Sequence, residues 1–187
     1  ISNPNPKYTT TDYGTGTGNS PVVFGRTSLG GPAASLITVF GGGPTANLFT
    51  ASGAPLNQGI NVGTTGNYGV RTFIGVKPFL DTNEPVIGTY YMADMTITFN
   101  RPVNNPILHF SGMGGLGLND FSGEFELIGL NGSTPATNTF TKLSGTNPLY
   151  VTAANYIGNN AAPMNALNPA GVASGSIQVN GTGISTL

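Results

Sequence analysis

Hydrophobic and polar residues alternate with period two along much of this chain. From Gly88 to Phe99, the residues Tyr91, Ala93, Met95, Ile97 and Phe99 share one parity, and Tyr90, Met92, Asp94, Thr96 and Thr98 share the other. That pattern predicts a strand with one buried face. The stretch Asn100–Pro106 breaks it with prolines at 102 and 106 and asparagines at 100, 104 and 105. Proline cannot donate to a ladder and asparagine tolerates turn geometry, so an arch is expected here, with a second strand over Ile107–Phe110. A strand, a proline-bounded arch and a strand would carry the chain from one sheet of a sandwich to the other. The predicted core joins Met95, Ile97 and Phe99 to Phe125 and Leu127.

The rest of the chain repeats this on a smaller scale. Strands are predicted at Pro21–Phe24, Ala33–Phe40, Gly69–Val76, Gly123–Leu130, Phe140–Leu143, Leu149–Ala154 and Ser174–Val179. Glycine, proline and asparagine separate them. Asn131–Gly132 is a dipeptide suited to a tight turn, and Asn155–Ala170 reads as a loop. No period of 3.6 residues is sustained anywhere. About eight to ten short antiparallel strands describe an all-β chain, a two-sheet β-sandwich or jelly roll. Residues 1–20 are rich in Asn, Pro, Thr and Gly and read as an extended arm or linker. Residues 21–187 read as a single β-sandwich domain, long enough to bury a core.

Composition shifts attention to the surface. Charged residues are 7% of the chain, against roughly 25% in an ordinary soluble domain. Amides and hydroxyls supply the polarity instead. Such a surface offers salt little to screen and gives copies little electrostatic reason to stay apart. An extracellular or cell-surface, packed setting is therefore expected. The net charge is −1, and the six cations, scattered from Lys7 to Lys142, form no patch for nucleic acid. There is no cysteine, so neither disulfides nor thiolate metal sites arise. No apolar run approaches the ~20 residues of a membrane-spanning helix. The first residue is Ile1 rather than Met, as in a mature or excised segment.

Candidate chemistry is sparse, and each case has a plainer structural explanation. His109 is the single histidine. No Gly-x-Ser-x-Gly elbow accompanies it, so a role in packing or at the surface is favoured over that of a catalytic base. Glu124 and Glu126 share a strand face, about 7 Å apart by strand geometry. A glycosidase pair would flank a cleft at a comparable separation, but such a pair normally comes from different strands, and a solvent-facing strand edge is the favoured explanation. Asp81, Asn83 and Glu84 place three oxygen-bearing side chains within four positions, and Asn119 with Asp120 adds two more. Calcium is the one cofactor these raise, because loops of extracellular β-domains commonly bind it through such groups. Turn capping is the alternative. Tyr8, Tyr13, Tyr68, Tyr90, Tyr91, Tyr150 and Tyr156 could include a sugar-stacking platform, with Tyr90, on the polar parity, as the leading candidate. The absence of tryptophan counts against that reading. Tyr8 and Tyr13 near one end, and Ile184 and Leu187 at the other, lie in strand-like segments that could pair with a neighbouring subunit.

The block Met95-Thr-Ile-Thr-Phe-Asn-Arg-Pro-Val-Asn-Asn-Pro-Ile-Leu-His-Phe110 resembles a segment of β-sandwich modules in large bacterial surface and secreted proteins. In these an apolar strand, a Pro-Val-x-Asn arch and a second strand follow one another. The resemblance covers about a tenth of the chain. It implies an exported, adhesin-like module and carries over no catalytic residue. The sequence thus leads to a structural or adhesive module of an extracellular bacterial surface protein, assembling into a filament or multidomain array, and not to an enzyme. Its expected partners are copies of itself or neighbouring domains of the same protein, with surface glycans a further class. The alternative is a calcium-pinned carbohydrate-binding module.

Overall fold

The structure, a computed structural model of the chain, describes residues 22–24, 37–39, 49–50, 68–70, 72–74, 94–113, 123–135, 139–152, 155–160 and 173–187. Among these the fold is all-β, with thirteen short strands and only antiparallel pairing. The strands outnumber the expected eight to ten because Gly69–Val76 divides in two and because strands also form at Asn131–Ser133, Tyr156–Asn159 and Thr182–Thr186. No helix among the described residues is long and apolar enough to cross a membrane.

The chain divides into two compact units, Ile1–Phe40 with Thr65–Thr96, and Gly41–Thr64 with Ile97–Leu187. The first unit contains two hairpin-like pairs. Strand β1 (Val22–Phe24) pairs with β4 (Thr72–Ile74), and β2 (Ile37–Val39) pairs with β3 (Tyr68–Val70). The single strand expected over Gly69–Val76 is thus two strands with different partners.

The second unit holds three three-stranded sheets. In the first, β5 (Thr98–Val103), β13 (Thr182–Thr186) and β8 (Asn131–Ser133) lie in the order β5-β13-β8. In the second, β6 (Ile107–Met113), β12 (Ala173–Val179) and β9 (Phe140–Gly145) lie in the order β6-β12-β9. These two sheets share a corner. Each strand of one leads directly into a strand of the other: β5 into β6, β8 into β9, and β12 into β13.

The expected arch is one of these three crossings, and it does carry the chain from one sheet to the other. It is shorter than the sequence suggested, because β5 continues through Pro102 to Val103. An edge strand tolerates a residue without an N–H, and β5 is at the edge. Asn105 turns the corner with a φ of 47°, a conformation asparagine accepts more readily than most residues. Its backbone N–H donates to the Gly181 carbonyl at 2.9 Å, and its Oδ1 accepts from Gly181 N–H at 2.9 Å. Asn104 Oδ1 accepts from Gly183 N–H at 2.9 Å, and Asn180 N–H donates to the Thr139 carbonyl at 2.8 Å. The asparagines read as strand breakers therefore stitch the three crossings together.

The core lies around β12. Ile177, Val179, Ala173 and Ile184 are fully buried and cluster with Met113, Phe140, Leu149 and Ile157. Phe99, Val103, Phe110, Phe125 and Leu127 are partly buried against that cluster. Of the predicted five-residue core, Phe99, Phe125 and Leu127 accordingly form its rim, whereas Ile97 is only half-buried and Met95 is 39% exposed. Asn131–Gly132 is also not a turn but part of β8. A Cβ on Gly132 would lie 2.8 Å from the Ile184 Cα, so the missing side chain serves close strand approach rather than a turn.

Candidate functional site: a tyrosine–carboxylate face

The third sheet has the order β10-β11-β7, from β10 (Leu149–Val151), β11 (Tyr156–Asn159) and β7 (Phe125–Glu126). Alternation gives it two unlike faces. Leu149, Val151, Ile157 and Phe125 point to the core. Tyr150, Tyr156, Glu124 and Glu126 occupy the other face. The β11 strand falls in the stretch expected to be a loop. Only Ile157 marks it as strand in the sequence, and Asn159 looks like a loop residue. In the structure Asn159 is buried and its Nδ2 donates to the Met113 carbonyl at 2.8 Å.

The registers set the outer face in two rows. Tyr150 is opposite Gly158, and one step along the β11–β7 ladder Gly158 neighbours Glu124. Tyr156 is opposite Glu126. Gly158 leaves a slot that the Tyr150 ring fills: a Cβ there would lie 2.7 Å from Cε1 and 2.9 Å from Cζ. The ring therefore reaches across β11, and its hydroxyl donates to Glu124 Oε1 at 3.1 Å. The Tyr156 hydroxyl donates to Glu126 Oε2 at 3.1 Å. Thr152 adjoins the second row, its Oγ1 accepting from Tyr156 N–H at 3.1 Å.

Both phenols are held above the ordinary tyrosine range. For Tyr150 the first cause is burial, followed by the charge of Glu124; for Tyr156 it is the hydrogen bond to Glu126. They stay protonated donors at neutral pH. The face can supply aromatic surface, carboxylate acceptors and the lone pairs of the two phenols, whose hydrogens go to the carboxylates. Glu124 and Glu126, weighed in the sequence as a catalytic pair, are each engaged by a tyrosine instead.

His109 sits elsewhere. It lies on β6 directly opposite Ser176 on β12, with Nδ1 2.8 Å from Ser176 Oγ. Ser176 Oγ also accepts from Thr50 N–H at 3.0 Å. Phe49 packs edge-on against the imidazole, with ring centroids 5.6 Å apart. A neutral ring protonated on Nε2 lets Ser176 donate to Nδ1 while accepting from Thr50. Ser176 is fully buried, so its hydroxyl cannot meet a substrate. The pair fastens the Phe49–Thr50 segment to the sheet, and burial pushes the His109 pKa down.

Of the residues singled out in the sequence, Tyr8, Tyr13, Asp81, Asn83, Glu84, Tyr90, Asn119 and Asp120 lie outside the described residues. Ile184 is fully buried in β13, the middle strand of its sheet, paired on both sides. Leu187 exchanges two backbone hydrogen bonds with Ile97, at 2.9 and 3.0 Å. Both residues are therefore engaged within the chain's own sheet. Tyr150 and Tyr156 were named in the sequence only among seven tyrosines. A signal for them existed, since Tyr150-x-Thr152, Tyr156-x-Gly158 and Glu124-x-Glu126 all put polar groups and a glycine slot on one parity.

No family model, curated protein or solved structure matches this chain.

Proposed function

We propose that this chain is a structural and adhesive module of an extracellular bacterial surface protein, which joins copies of itself or neighbouring domains into a filament or array. The observation that carries this reading is the edge strand β8. Asn131, Gly132 and Ser133 are all exposed, none is charged, and among the described residues β8 pairs only with β13. Lysine or proline commonly guards such an edge against pairing with another chain, and β8 has neither. Strand addition from a neighbour is a known mode of subunit joining, and the Tyr- and Thr-bearing arm of residues 1–20 is the segment suited to supply the strand. The low charge of the whole surface leaves little repulsion between copies.

The test is sedimentation velocity and negative-stain electron microscopy over a range of concentrations. The full chain should assemble. Ser133→Lys, and deletion of residues 1–20, should each leave a cooperative melt but abolish assembly. A full chain that stays monomeric at every concentration overturns the reading. The second reading, a calcium-pinned carbohydrate-binding module, draws support from the tyrosine–carboxylate face; its calcium part rests on Asp81, Asn83 and Glu84.

A further inference from the structure

We propose that the outer face of the β10-β11-β7 sheet binds a neutral glycan, with the Tyr150 ring as the floor under a hexose and the Glu124 and Glu126 carboxylates as acceptors for its hydroxyls. The proposal makes the second reading above specific and rests on it only in taking an outside ligand for granted.

Three features select the occupant. The first is the posture of Tyr150. An exposed tyrosine usually stands off a sheet and samples several rotamers, whereas this ring lies across the glycine slot and is tied at its far end to Glu124. A half-buried ring held in place presents the π-face turned away from Gly158 with little entropy left to lose on binding, and the C–H-lined face of a pyranose is a flat apolar surface of matching kind.

The second is hydrogen-bond complementarity. Each carboxylate has about four acceptor positions and receives one phenol. The phenol oxygens keep lone pairs of their own. Each phenol hydrogen goes to a carboxylate, so the face presents acceptors a few ångströms apart, the remaining carboxylate positions and the phenol lone pairs, which suits the hydroxyl donors of a sugar. The raised pKa of both phenols keeps the pattern intact at neutral and mildly alkaline pH.

The third is charge. Glu124 and Glu126 repel nucleic acid, phosphates and uronic acids. An ammonium or guanidinium group is the competing occupant, since carboxylates and ring faces attract it too. An ammonium group, however, covers less of the fixed Tyr150 ring than the flat face of a pyranose does, and its hold on the carboxylates would weaken with salt.

The experiment is affinity electrophoresis of the full chain through gels containing glucan, mannan or galactan, with isothermal titration of the matching soluble oligosaccharide. At least one neutral polysaccharide should retard the protein. Tyr150→Ala and Tyr156→Ala should each weaken binding by about tenfold or more, and Gly158→Ala, which unseats the ring without removing it, should weaken it comparably. Raising NaCl from about 0.05 to 0.5 M should change the affinity by less than about twofold. Melting curves of each variant check that the fold persists; for Gly158→Ala, a melt far below that of Tyr150→Ala would transfer the test to the two tyrosine variants.

The proposal is overturned if no neutral polysaccharide retards the chain, or if retardation survives both tyrosine substitutions. It is overturned equally if poly-lysine binds this face and is released by salt while the glycans do not bind, which would assign the face to a cationic protein. Assembly is scored separately by microscopy. Filaments without glycan binding refute only this proposal, and glycan binding by a strict monomer refutes only the assembly reading.

Discussion

Strands β12 and β5 both lie against one core, yet their depth runs against the strength of their sequence signals. β5 ends the longest alternation in the chain, but among the described residues it pairs only with β13 and four of its six residues are exposed. β12 reads Ala-Ser-Gly-Ser-Ile-Gln-Val, a short alternation made largely of small residues, and six of its seven residues are buried. Alternation reports that one face of a strand meets a core. It does not report whether the strand's two edges are covered. A central strand needs neighbours close on both sides, and small side chains allow that approach. β12 supplies Gly175 against Gly145 on β9, and Ser176 against His109 on β6. The two serines add buried hydroxyls that bond locally: Ser174 Oγ accepts from Gly112 N–H at 3.0 Å.

The largest effect that could break this contrast is at Gly175. Its φ is 156°, and a Cβ there would lie 2.7 Å from both the Gly145 Cα and the Leu149 Cδ2. The backbone cannot give way without opening the β12–β9 ladder. Gly175→Ala is expected to cost about 3 kcal/mol or more, from overpacking and backbone strain together. A denaturant midpoint unchanged from the parent would mean that β12 is not packed this closely.

Next in size is a paired truncation. Ile177 is fully buried on β12, and Phe99 is half-buried on β5. Ile177→Ala should cost about 2–5 kcal/mol. Phe99→Ala removes more atoms but from the rim, so about 1.5–2.5 kcal/mol is expected, below the 3–5 kcal/mol typical of a buried phenylalanine. The ranking is the test: a larger loss from Phe99→Ala than from Ile177→Ala would return the centre of the core to β5.

Acid should act on β12 through His109. Burial lowers its folded pKa below the ordinary histidine value of 6.5, so the unfolded chain binds the proton more readily. Stability is then complete above about pH 6.5 and declines as the pH falls from there toward the folded pKa. The protonated ring would also donate from Nδ1 toward a Ser176 oxygen that already accepts from Thr50, leaving the serine proton to find another acceptor. His109→Gln should flatten the stability profile between pH 7 and pH 5. A histidine variant with the parent's slope in that window would place the titration elsewhere.

The same contrast explains what could be read from the residues alone. All-β character was legible because Gly, Pro and Asn punctuate short apolar runs throughout. The crossing at Asn104–Pro106 was legible because two prolines bracket it. The depth of β12 and the existence of β11 were not. Ser174 and Ser176 look like the solvent face of a strand, and Gly158 and Asn159 like loop residues, until their burial, hydrogen bonds and close contacts are known. Gly132 was misread because a glycine that lets a neighbouring strand approach is written with the same letter as one that turns a hairpin. The tyrosine–carboxylate face needs three strands in register, and Tyr150 and Glu124 are 26 positions apart, so no local pattern joins them.

The smallest expected effect is the most direct check on the edge. Pro102 lies inside β5 and is exposed. Had β5 been a central strand, this proline would remove a ladder hydrogen bond, and replacing it would stabilise the fold. At an edge the missing N–H costs nothing, and the β5–β13 register is already irregular between its Val103–Ile184 and Thr98–Thr186 pairs. Pro102→Ala gains a possible donor to water and loses the rigidity that proline gives the unfolded chain. The second term is worth about 0.4–1 kcal/mol where the native conformation suits proline. A slight loss of stability, about 0.5 kcal/mol, is therefore expected from equilibrium denaturation. A gain of about 1 kcal/mol or more would show that a strand lies on the outer side of β5 and that the edge is not an edge.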